Sequence, residues 1–384
     1  MHFKEWPSSP TRGLLLALLA LAVLAAGCGD LENNDQSSTT APVAASGDPT
    51  GTLTWSNWPL YIDPGKNGTL ANFEQDTGVK VDYVEDINDN QAFFAKLQPT
   101  LAEGDSEGRS LITVSDWLAA KMYDLGYLQR IDPSAVPNVE KNLIPALRHP
   151  SADPERDFTV PWQSGMTGII VNKDLAPDID SISDLFDPRY KGHITMLTEL
   201  RDTVPMTLKS MGIDPDTATP EQWMAAVDKI KAAADSGQIR KFTGNDYIRE
   251  LASGDAWASL GWSGDAVQLQ ADNPNIEFVM PKEGCMLWST SLEIPVGAPN
   301  PEAAQALMNY VYDPKVQADI AEWVNYVTPV KGVKAIVRKR DPELADNQLI
   351  FPSASYTKNC TFEPVLGGQL GDDVTKAFEA VLTG

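Results

Sequence analysis

The stretch of residues 52–61 (TLTWSNWPLY) constrains the fold more than any other part of the chain. Its first half alternates polar and apolar residues, which is the pattern of a β-strand. Pro59 cannot donate a hydrogen bond to a sheet, so the strand must end there. Trp58 and Tyr61 therefore lie at or just past the carboxyl end of the first strand, where open α/β sheets bind ligands. Packing of both rings in the core is the competing interpretation.

The following hundred residues predict a parallel sheet with helical connections. Residues 79–84 alternate like a strand, and residues 90–103 carry Phe93, Phe94, Leu97 and Leu101 at helical spacing. Residues 111–114 are a short apolar run, and Ser115 is suited to cap a helix that runs to Leu125. Strands that alternate with helices in this way indicate an α/β lobe.

A second α/β lobe is predicted beyond residue 158. Residues 159–162 indicate an extended connection that leads into a strand over residues 165–172. Further apolar runs predict strands at residues 194–197, 256–262, 276–280 and 285–295. Thr219-Pro220-Glu221-Gln222 is a capping box, so a helix begins there and runs to Gly237.

The N-terminus has the features of an export signal. Residues 1–27 combine Lys4 and Arg12 with an apolar run that ends just before Cys28, which predicts a signal peptide. Residues 24–28 (LAAGC) resemble the bacterial lipobox, with Ala25 where leucine is usual. This resemblance implies that Cys28 is lipidated and that the protein is exported to the periplasm or cell surface as a membrane-anchored lipoprotein. An ordinary signal peptide with an incidental cysteine is the alternative.

Residues 28–50 predict a flexible tether, because they contain no aromatic residue and few large apolar ones. Such a segment would attach a soluble domain to the membrane surface through the lipid alone. No segment after the signal peptide is long and apolar enough to span a membrane.

The charge and the cysteines restrict the possible partners. A net charge of −23 argues against nucleic acid and modestly favours a cationic ligand, although a soluble acidic surface accounts for most of it. After Cys28, only Cys285 and Cys360 remain, and export permits a disulfide, two free thiols or a metal pair. Only His149 and His193 follow the signal peptide, so a Cys/His metal site has no support, and we expect no cofactor.

Several short motifs in this order resemble the bacterial spermidine/putrescine-binding proteins. The motifs are Asn57-Trp58-Pro59-Leu60-Tyr61, Ser115-Asp116-Trp117, Tyr190-Lys191-Gly192, Trp262-Ser263-Gly264, Pro281-Lys282-Glu283-Gly284, the strand around Trp288, and Tyr326-Val327-Thr328-Pro329. The resemblance implies the type II periplasmic binding fold and the role of substrate-binding component of an ABC importer. It also implies permease subunits as partners, and we expect a monomer.

The extended segments around residues 160, 288 and 326 predict crossings between the two lobes. We therefore expect lobe 1 to comprise residues 51–160 and 291–327, and lobe 2 to comprise residues 161–290 and 328–384. Hinges of this kind let two lobes close on a ligand.

The resemblance also implies a set of ligand-binding residues. In the family, aromatic rings enclose the methylenes of a polyamine and acidic side chains take its ammonium ends. Carried over by position, the rings are Trp58, Tyr61, Trp117, Trp262, Trp288 and Tyr326. The acids are Glu199, Asp202 and Glu363, the last standing where the family often has glutamine. Thr290 departs from the family, which has an amine-binding aspartate there.

Each of the two remaining cysteines lies shortly before one of these implied ligand-binding residues. By the same resemblance, Cys285 lies three residues before Trp288, and Cys360 lies three residues before Glu363. We therefore predict that they form a disulfide that holds two segments of the site together. Closing so long a loop would contribute roughly 4 kcal/mol by the chain-entropy estimate.

Two other functions are open from the sequence. Arg201 could pair with a carboxylate, which would suit an amino-acid ligand such as γ-aminobutyrate or an opine-like molecule. An enzyme on the same fold is the second alternative. The chain lacks the Gly-x-Ser-x-Gly, Walker, Gly-x-Gly-x-x-Gly and His-Glu-x-x-His motifs, so we expect no catalytic activity.

Overall fold

The computed structural model describes residues 41–150, 152–364 and 366–384. The predicted signal peptide, Cys28 and the first part of the tether lie outside the described residues. The strands are β1 (Thr52–Asn57), β2 (Lys80–Glu85), β3 (Leu111–Ser115), β4 (Val160–Asn172), β5 (Ile194–Leu197), β6 (Ile239–Thr243), β7 (Ala258–Trp262), β8 (Ile276–Val279), β9 (Met286–Glu293) and β10 (Thr361–Phe362).

Helices cover the sheet and connect its parallel strands. They are α1 (Thr69–Thr77), α2 (Asn90–Leu101), α3 (Asp116–Asp124), α4 (Pro137–Asn142), α5 (Leu200–Ser210), α6 (Pro220–Asp235), α7 (Tyr247–Ser253), α8 (Ser263–Asp272), α9 (Pro301–Val311), α10 (Pro314–Val324), α11 (Val333–Arg340), α12 (Pro342–Asp346) and α13 (Gly368–Thr383). Over the residues that the structure describes, no helix has the length and apolar character needed to cross a membrane.

The first strands form the predicted parallel β-α-β unit. β1 pairs in parallel with β2 on one side and with β3 on the other. Leu53 and Trp55 of β1 are fully buried, as the alternating pattern requires. Helices α1 and α2 return the chain to the same edge, because parallel strands cannot be joined by a tight turn.

Two long antiparallel strands occupy the middle of the sheet. The strand order is β2-β1-β3-β9-β4-β7-β5-β6, with β8 beside β4 and β10 beside β9. We predicted an extended connection at residues 159–162 and a separate strand from residue 165, but both belong to the single strand β4 of 13 residues. An irregularity between Pro161 and Gln163 allows the proline to lie within a paired strand.

The register of these strands makes two sets of carboxyl ends face each other. β3 ends at Ser115, which lies opposite Thr290 of β9. β7 ends at Trp262, which lies opposite Thr167 of β4, and Thr167 in turn lies opposite Met286. β3 and β7 run in opposite directions, so their ends are separated by the part of β9 between Met286 and Thr290, roughly 13 Å of strand.

A disulfide attaches the C-terminal segment to this central region. Cys285 and Cys360 are bonded, with their Cα atoms 4.4 Å apart, so the predicted pairing is confirmed. Beyond the disulfide, β10 pairs in parallel with the start of β9. Gly284 permits this contact, because a Cβ at that position would lie 1.9 Å from the carbonyl oxygen of Asn359.

The described part of the predicted tether is packed against the domain, which corrects our expectation for residues 41–50. The backbone N–H of Ala44 donates to the carbonyl of Arg130 at 2.7 Å, and that of Arg130 donates to the carbonyl of Pro42 at 2.8 Å. Ala44 is buried, and Gln305 donates to the carbonyl of Ala45 at 2.8 Å. These partners come from distant parts of the chain, so local composition could not reveal them.

Candidate functional site

Five aromatic rings meet in the gap between the facing strand ends. They form a continuous series of edge and tilted contacts, with ring centroids 5.7 Å apart for Trp58 and Trp262, and 6.3 Å for Trp262 and Trp288. Tyr326 lies 5.3 Å from Trp288 and 5.3 Å from Tyr61. All five belong to the set that the resemblance implied.

The strand ends deliver these rings as the sequence suggested. β1 ends at Asn57, so Trp58 is the first residue beyond the strand, and its indole N–H donates to the carbonyl of Thr113 at 3.1 Å. Trp262 is the last residue of β7. Trp288 lies on β9 in the middle of the gap, between Met286 and Thr290.

Two glycines make room for the rings. A Cβ at Gly165 would lie 2.3 Å from the ring of Trp288, and a Cβ at Gly264 would lie 2.4 Å from the ring of Tyr326. Any larger residue at either position would displace the ring, so the glycines are part of the shape of the site.

The rings and their neighbours enclose a narrow cavity. Its volume is about 30 Å³. So narrow a space favours a slender ligand. The lining residues are Trp58, Pro59, Tyr61, Asn90, Ser115, Glu199, Asp202, Asn245, Trp262, Asp265, Trp288, Thr290, Tyr326 and Glu363.

Charge in the cavity is of one sign. Four of the lining residues are acidic, and no lysine, arginine or histidine among the described residues lines it. Since burial of a carboxylate without a cation is costly, this composition is suited to a positively charged ligand.

Asp202 and Glu199 lie near the start of α5, just after β5. Asp202 accepts hydrogen bonds from the hydroxyl of Thr167 at 2.6 Å and from the indole N–H of Trp262 at 3.1 Å. Burial raises the pKa of Asp202 to about 6. One oxygen of Glu199 accepts from the backbone and side-chain amides of Asn90, at 2.7 and 2.8 Å. Burial, followed by the charge of Asp89, raises the pKa of Glu199 to about 8.

Asp265 is a buried carboxylate that our sequence analysis missed. It accepts from the hydroxyl of Tyr326 at 2.7 Å, from the hydroxyl of Tyr247 at 2.5 Å and from the side chain of Asn245 at 3.0 Å. Burial raises the pKa of Asp265. The available signal was its position directly after Trp262-Ser263-Gly264, a motif that we had already noted.

Glu363 and Thr290 complete the polar lining. The backbone N–H of Glu363 donates to the carbonyl of Leu287 at 2.9 Å, which places the side chain beside β9. Burial and the charges of Asp202 and Glu199 raise the pKa of Glu363 well above its usual value. Thr290 exchanges a hydrogen bond with the hydroxyl of Tyr61 at 3.2 Å and donates to the carbonyl of Gln163 at 3.3 Å.

Trp117 is the one ring of the implied set that does not line this cavity. Its ring lies under the guanidinium of Arg201, with the guanidinium carbon 3.8 Å from the ring centroid. Both residues line a neighbouring cavity on the other side of Glu199. Arg201 therefore lies outside the aromatic cavity in which a ligand carboxylate would have to meet it.

Asn90, Ser115 and Asn245 also line the cavity without having been predicted. Asn90 begins α2, and its side chain donates to Ser115 at 3.0 Å as well as to Glu199. Ser115 belongs to the Ser115-Asp116-Trp117 motif that we had already noted. Asn90 and Asn245 carried no such signal, because short polar residues near helix starts are common. No cluster of three or more metal-binding side chains occurs within residues 41–150, 152–364 and 366–384.

The sequence profile of the bacterial extracellular solute-binding proteins matches residues 68–352. The chain belongs to this family. It is 32% identical over 327 residues to the spermidine/putrescine-binding periplasmic protein of Escherichia coli, covering 84% of this chain and 90% of that protein.

Two further relatives agree with this membership. The putrescine-binding periplasmic protein PotF of Escherichia coli is 30% identical over 325 residues, covering 79% of this chain and 84% of that protein. A solved structure from Listeria monocytogenes, assigned to spermidine/putrescine ABC transport, is 28% identical with a TM-score of 0.75, covering 86% of this chain and 98% of that chain. The predicted periplasmic-binding fold is thereby confirmed. As a member of a solute-binding family the protein is not an enzyme, as we predicted.

Proposed function

We propose that this solute-binding protein captures a linear polyamine, such as spermidine or putrescine, and delivers it to the permease of an ABC importer. One observation carries the proposal: four carboxyl groups and five aromatic rings line a single narrow cavity that no basic side chain among the described residues enters. A polyamine is a slender chain of methylenes with cationic nitrogens, so its shape and charge both complement that lining.

The expected energetics are those of a desolvated cation between rings and carboxylates. Each ammonium over a tryptophan or tyrosine face contributes roughly 0.5 to 2 kcal/mol. Carboxylates that accept hydrogen bonds from an ammonium are stronger partners than neutral groups, because the bonds are charge-assisted. In this proposal the ligand-binding residues are Trp58, Tyr61, Glu199, Asp202, Trp262, Trp288, Thr290, Tyr326 and Glu363. Trp117 lies beside the site, where its ring stacks against Arg201.

The names of the relatives support the same ligand class. One of the two Escherichia coli proteins is named for binding spermidine and putrescine, and the other is named for binding putrescine. Both alignments cover most of this chain and most of the relative.

We further propose that the site lies between two lobes that close on the ligand. Lobe 1 comprises residues 51–160 and 291–327, and lobe 2 comprises residues 161–290 and 328–384. The facing carboxyl ends of β3 and β7 support this division. In the strand order, β9 and β4 lie between β3 and β7 and so connect the two halves of the sheet. Motion about these two strands would open and close the gap that holds the rings.

Export and anchoring complete the proposal. The relatives in Escherichia coli are periplasmic proteins. The lipobox-like residues 24–28 support lipid attachment at Cys28, which would hold a monomeric binding protein near its permease.

Calorimetry on stripped and refolded protein tests the proposed ligand. Putrescine, spermidine and γ-aminobutyrate are titrated in parallel, and native mass spectrometry of the protein as purified identifies any amine that was retained. We expect the amines to bind and the amino acid to bind weakly, because Arg201 stacks on Trp117 outside the aromatic cavity. Binding of γ-aminobutyrate alone, lost in Arg201→Ala, would replace the polyamine with an amino acid.

A further inference from the structure

Two tyrosines of the cavity follow backbone turns of the same uncommon kind. Leu60 and Asn325 have φ values of 56° and 63°, in the left-handed region that residues other than glycine seldom adopt. Each is followed directly by a cavity tyrosine, Tyr61 after Leu60 and Tyr326 after Asn325. The two rings meet edge to face, with centroids 5.3 Å apart. The direction in which both rings enter the cavity therefore depends on two left-handed turns, which the surrounding structure must hold in place.

One side chain contacts both turns. The amide nitrogen of Gln268 donates to the carbonyl of Leu60 at 3.4 Å and to the carbonyl of Val324 at 2.9 Å. Gln268 lies on α8, and in the proposed division α8 belongs to lobe 2 while both carbonyls belong to lobe 1. The N–H groups of the turns are satisfied within lobe 1, since Leu60 donates to Glu85 at 3.2 Å and Asn325 closes the last turn of α10. Gln268 therefore joins both turns to lobe 2.

Gln268 shares one side of α8 with two residues that contact Tyr326 directly. Gly264 lies against the ring, where a Cβ would be 2.4 Å away, and Asp265 accepts from the hydroxyl at 2.7 Å. Residues that are three or four positions apart on a helix are neighbours on its surface, so residues 264, 265 and 268 lie together. This side of α8 contacts the tyrosine at its ring and its hydroxyl, and it also contacts the backbone just before it.

We propose that Gln268 is a positioning residue, which in the closed state joins lobe 2 to the two turns and so fixes Tyr61 and Tyr326 around the ligand. This inference rests on the proposed capture of a polyamine by closure of two lobes. Gln268 lies outside the cavity lining, so it acts through the tyrosines and does not touch the ligand. Hydrogen bonds that form only after closure stabilise the closed complex. They should therefore slow the release of the ligand and leave the rate of its capture unchanged.

Stopped-flow fluorescence with putrescine measures both rates, because Trp58, Trp262 and Trp288 line the cavity and report binding. In Gln268→Ala we expect the dissociation rate to rise about tenfold, the effect of losing two neutral hydrogen bonds. The association rate should stay the same. Gln270→Ala is the matched control, since it makes the same substitution on the other side of α8, more than half a helical turn away. It should change neither rate.

Two charged variants separate the hydrogen bonds of Gln268 from long-range electrostatics. Gln268→Glu keeps the shape of the side chain but has no N–H to donate, and its negative charge by itself would favour a cationic ligand. Gln268→Lys supplies a donor again, and its positive charge by itself would repel the ligand. We expect Gln268→Glu to release putrescine faster than the wild type, and Gln268→Lys to release it more slowly than Gln268→Glu. The reverse order would show that charge governs release, and the proposed role would be wrong.

The remaining outcomes distinguish this inference from the proposed ligand. Equal dissociation rates in Gln268→Ala and Gln270→Ala would overturn the role of Gln268 and leave capture of the polyamine intact. A large fall in the association rate would also overturn it, because Gln268 would then shape the open site. Circular dichroism verifies the fold, and if Gln268→Ala folds poorly, the isosteric Gln268→Glu carries the same comparison. If the wild type binds no amine at all, the proposed ligand is wrong and this inference falls with it.

Discussion

Burial controls the protonation of the carboxyl groups around the cavity. It raises the pKa of Glu199 to about 8 and that of Asp202 to about 6. It also raises the pKa values of Asp265 and Glu363. Several acids brought together away from water resist ionisation, because each negative charge is poorly solvated and repels the others. A bound cation would reverse this effect by stabilising the ionised forms.

Ligand affinity should therefore increase between about pH 5 and pH 8. Binding of an ammonium lowers the pKa values of Glu199 and Asp202, so protons are released when the ligand binds at a pH near or below these values. Calorimetry at pH 6.5 in two buffers of different ionisation enthalpy should give different apparent enthalpies. A flat pH profile with the same enthalpy in both buffers would mean that these acids do not contact the ligand's charge.

The ligand-free protein should lose stability over the same pH range. A carboxyl whose folded pKa is raised binds its proton more tightly in the folded state, so its contribution is complete at low pH and is lost as the pH rises. For Glu199 this interval extends from its ordinary value of 4.5 to about 8. Urea unfolding at pH 5 and pH 8 measures the loss, which should be smaller in Glu199→Gln. An equal loss in both proteins would place the cause elsewhere.

Trp288 provides the central ring of the cavity, so its truncation should weaken binding directly. We expect Trp288→Ala to cost about 1 to 3 kcal/mol of putrescine binding, the range for a well-packed aromatic anchor. Trp257→Ala is the matched control, because that ring stacks on His193 outside the cavity, with centroids 3.8 Å apart. Equal changes in affinity for the two variants would argue against a direct contact with the ligand.

Two loops that follow strands meet across the gap. The backbone N–H of Asn245, after β6, donates to the side chain of Asn88, before α2, at 3.1 Å. Thr198, after β5, donates to Asp89 at 2.5 Å, and Glu199 accepts from Asn90 as described above. These contacts join the halves of the sheet on either side of the central strands. Under the proposed two-lobe closure they would form only when the lobes come together.

Gly244 permits this contact, since a Cβ there would lie 1.9 Å from the carbonyl oxygen of Asn88. Gly244→Ala should keep the loops apart and weaken ligand binding by about 1 to 3 kcal/mol, the usual cost of overpacking. Small-angle scattering with saturating putrescine should show a larger radius of gyration than for the wild type.

Gly47→Ala is the control for this substitution, because a Cβ there meets only the side chain of Glu302 at 3.9 Å. If Gly244→Ala lowered the melting temperature of the ligand-free protein without changing affinity, the contact would belong to the resting fold and not to closure.

The whole molecule combines an acidic binding domain with an N-terminal extension. The net charge of −23 attracts cations toward the surface in general, but the cavity lining provides the specific recognition. The packing of residues 41–50 against Arg130 and Gln305 means that the ordered domain begins before β1. Any free tether must therefore be shorter than the 28–50 segment that composition suggested.

Lipid attachment at Cys28 is tested by cell fractionation. In Cys28→Ser the predicted lipid cannot be added, so the protein should move from the membrane fraction to the soluble exported fraction. Amine binding by the released protein should be unchanged, because the cavity lies within the folded domain. Identical fractionation of variant and wild type would show that the lipobox interpretation is wrong.

Much of the fold and many of the lining residues could be predicted before the structure. Strand and helix periodicity, together with Pro59 and the capping box at Thr219, report local backbone geometry, which neighbouring residues largely determine. The position of Trp58 at a strand end is local in this sense. The resemblance, which rests on the order of the motifs along the chain, implied ten ligand-binding residues. Nine of these ten residues line the cavity.

The remaining features depend on contacts between residues that are far apart in the chain. Asp265 accepts a hydrogen bond from Tyr326, 61 residues away in the chain. Trp117 lies outside the aromatic cavity and stacks against Arg201, which comes from another helix. The segment before β1 is held by hydrogen bonds with Arg130 and Gln305, which lie far away in the chain. Periodicity carries no information on such pairings. The same holds for the register of β9 and β4, which brings the ends of β3 and β7 face to face.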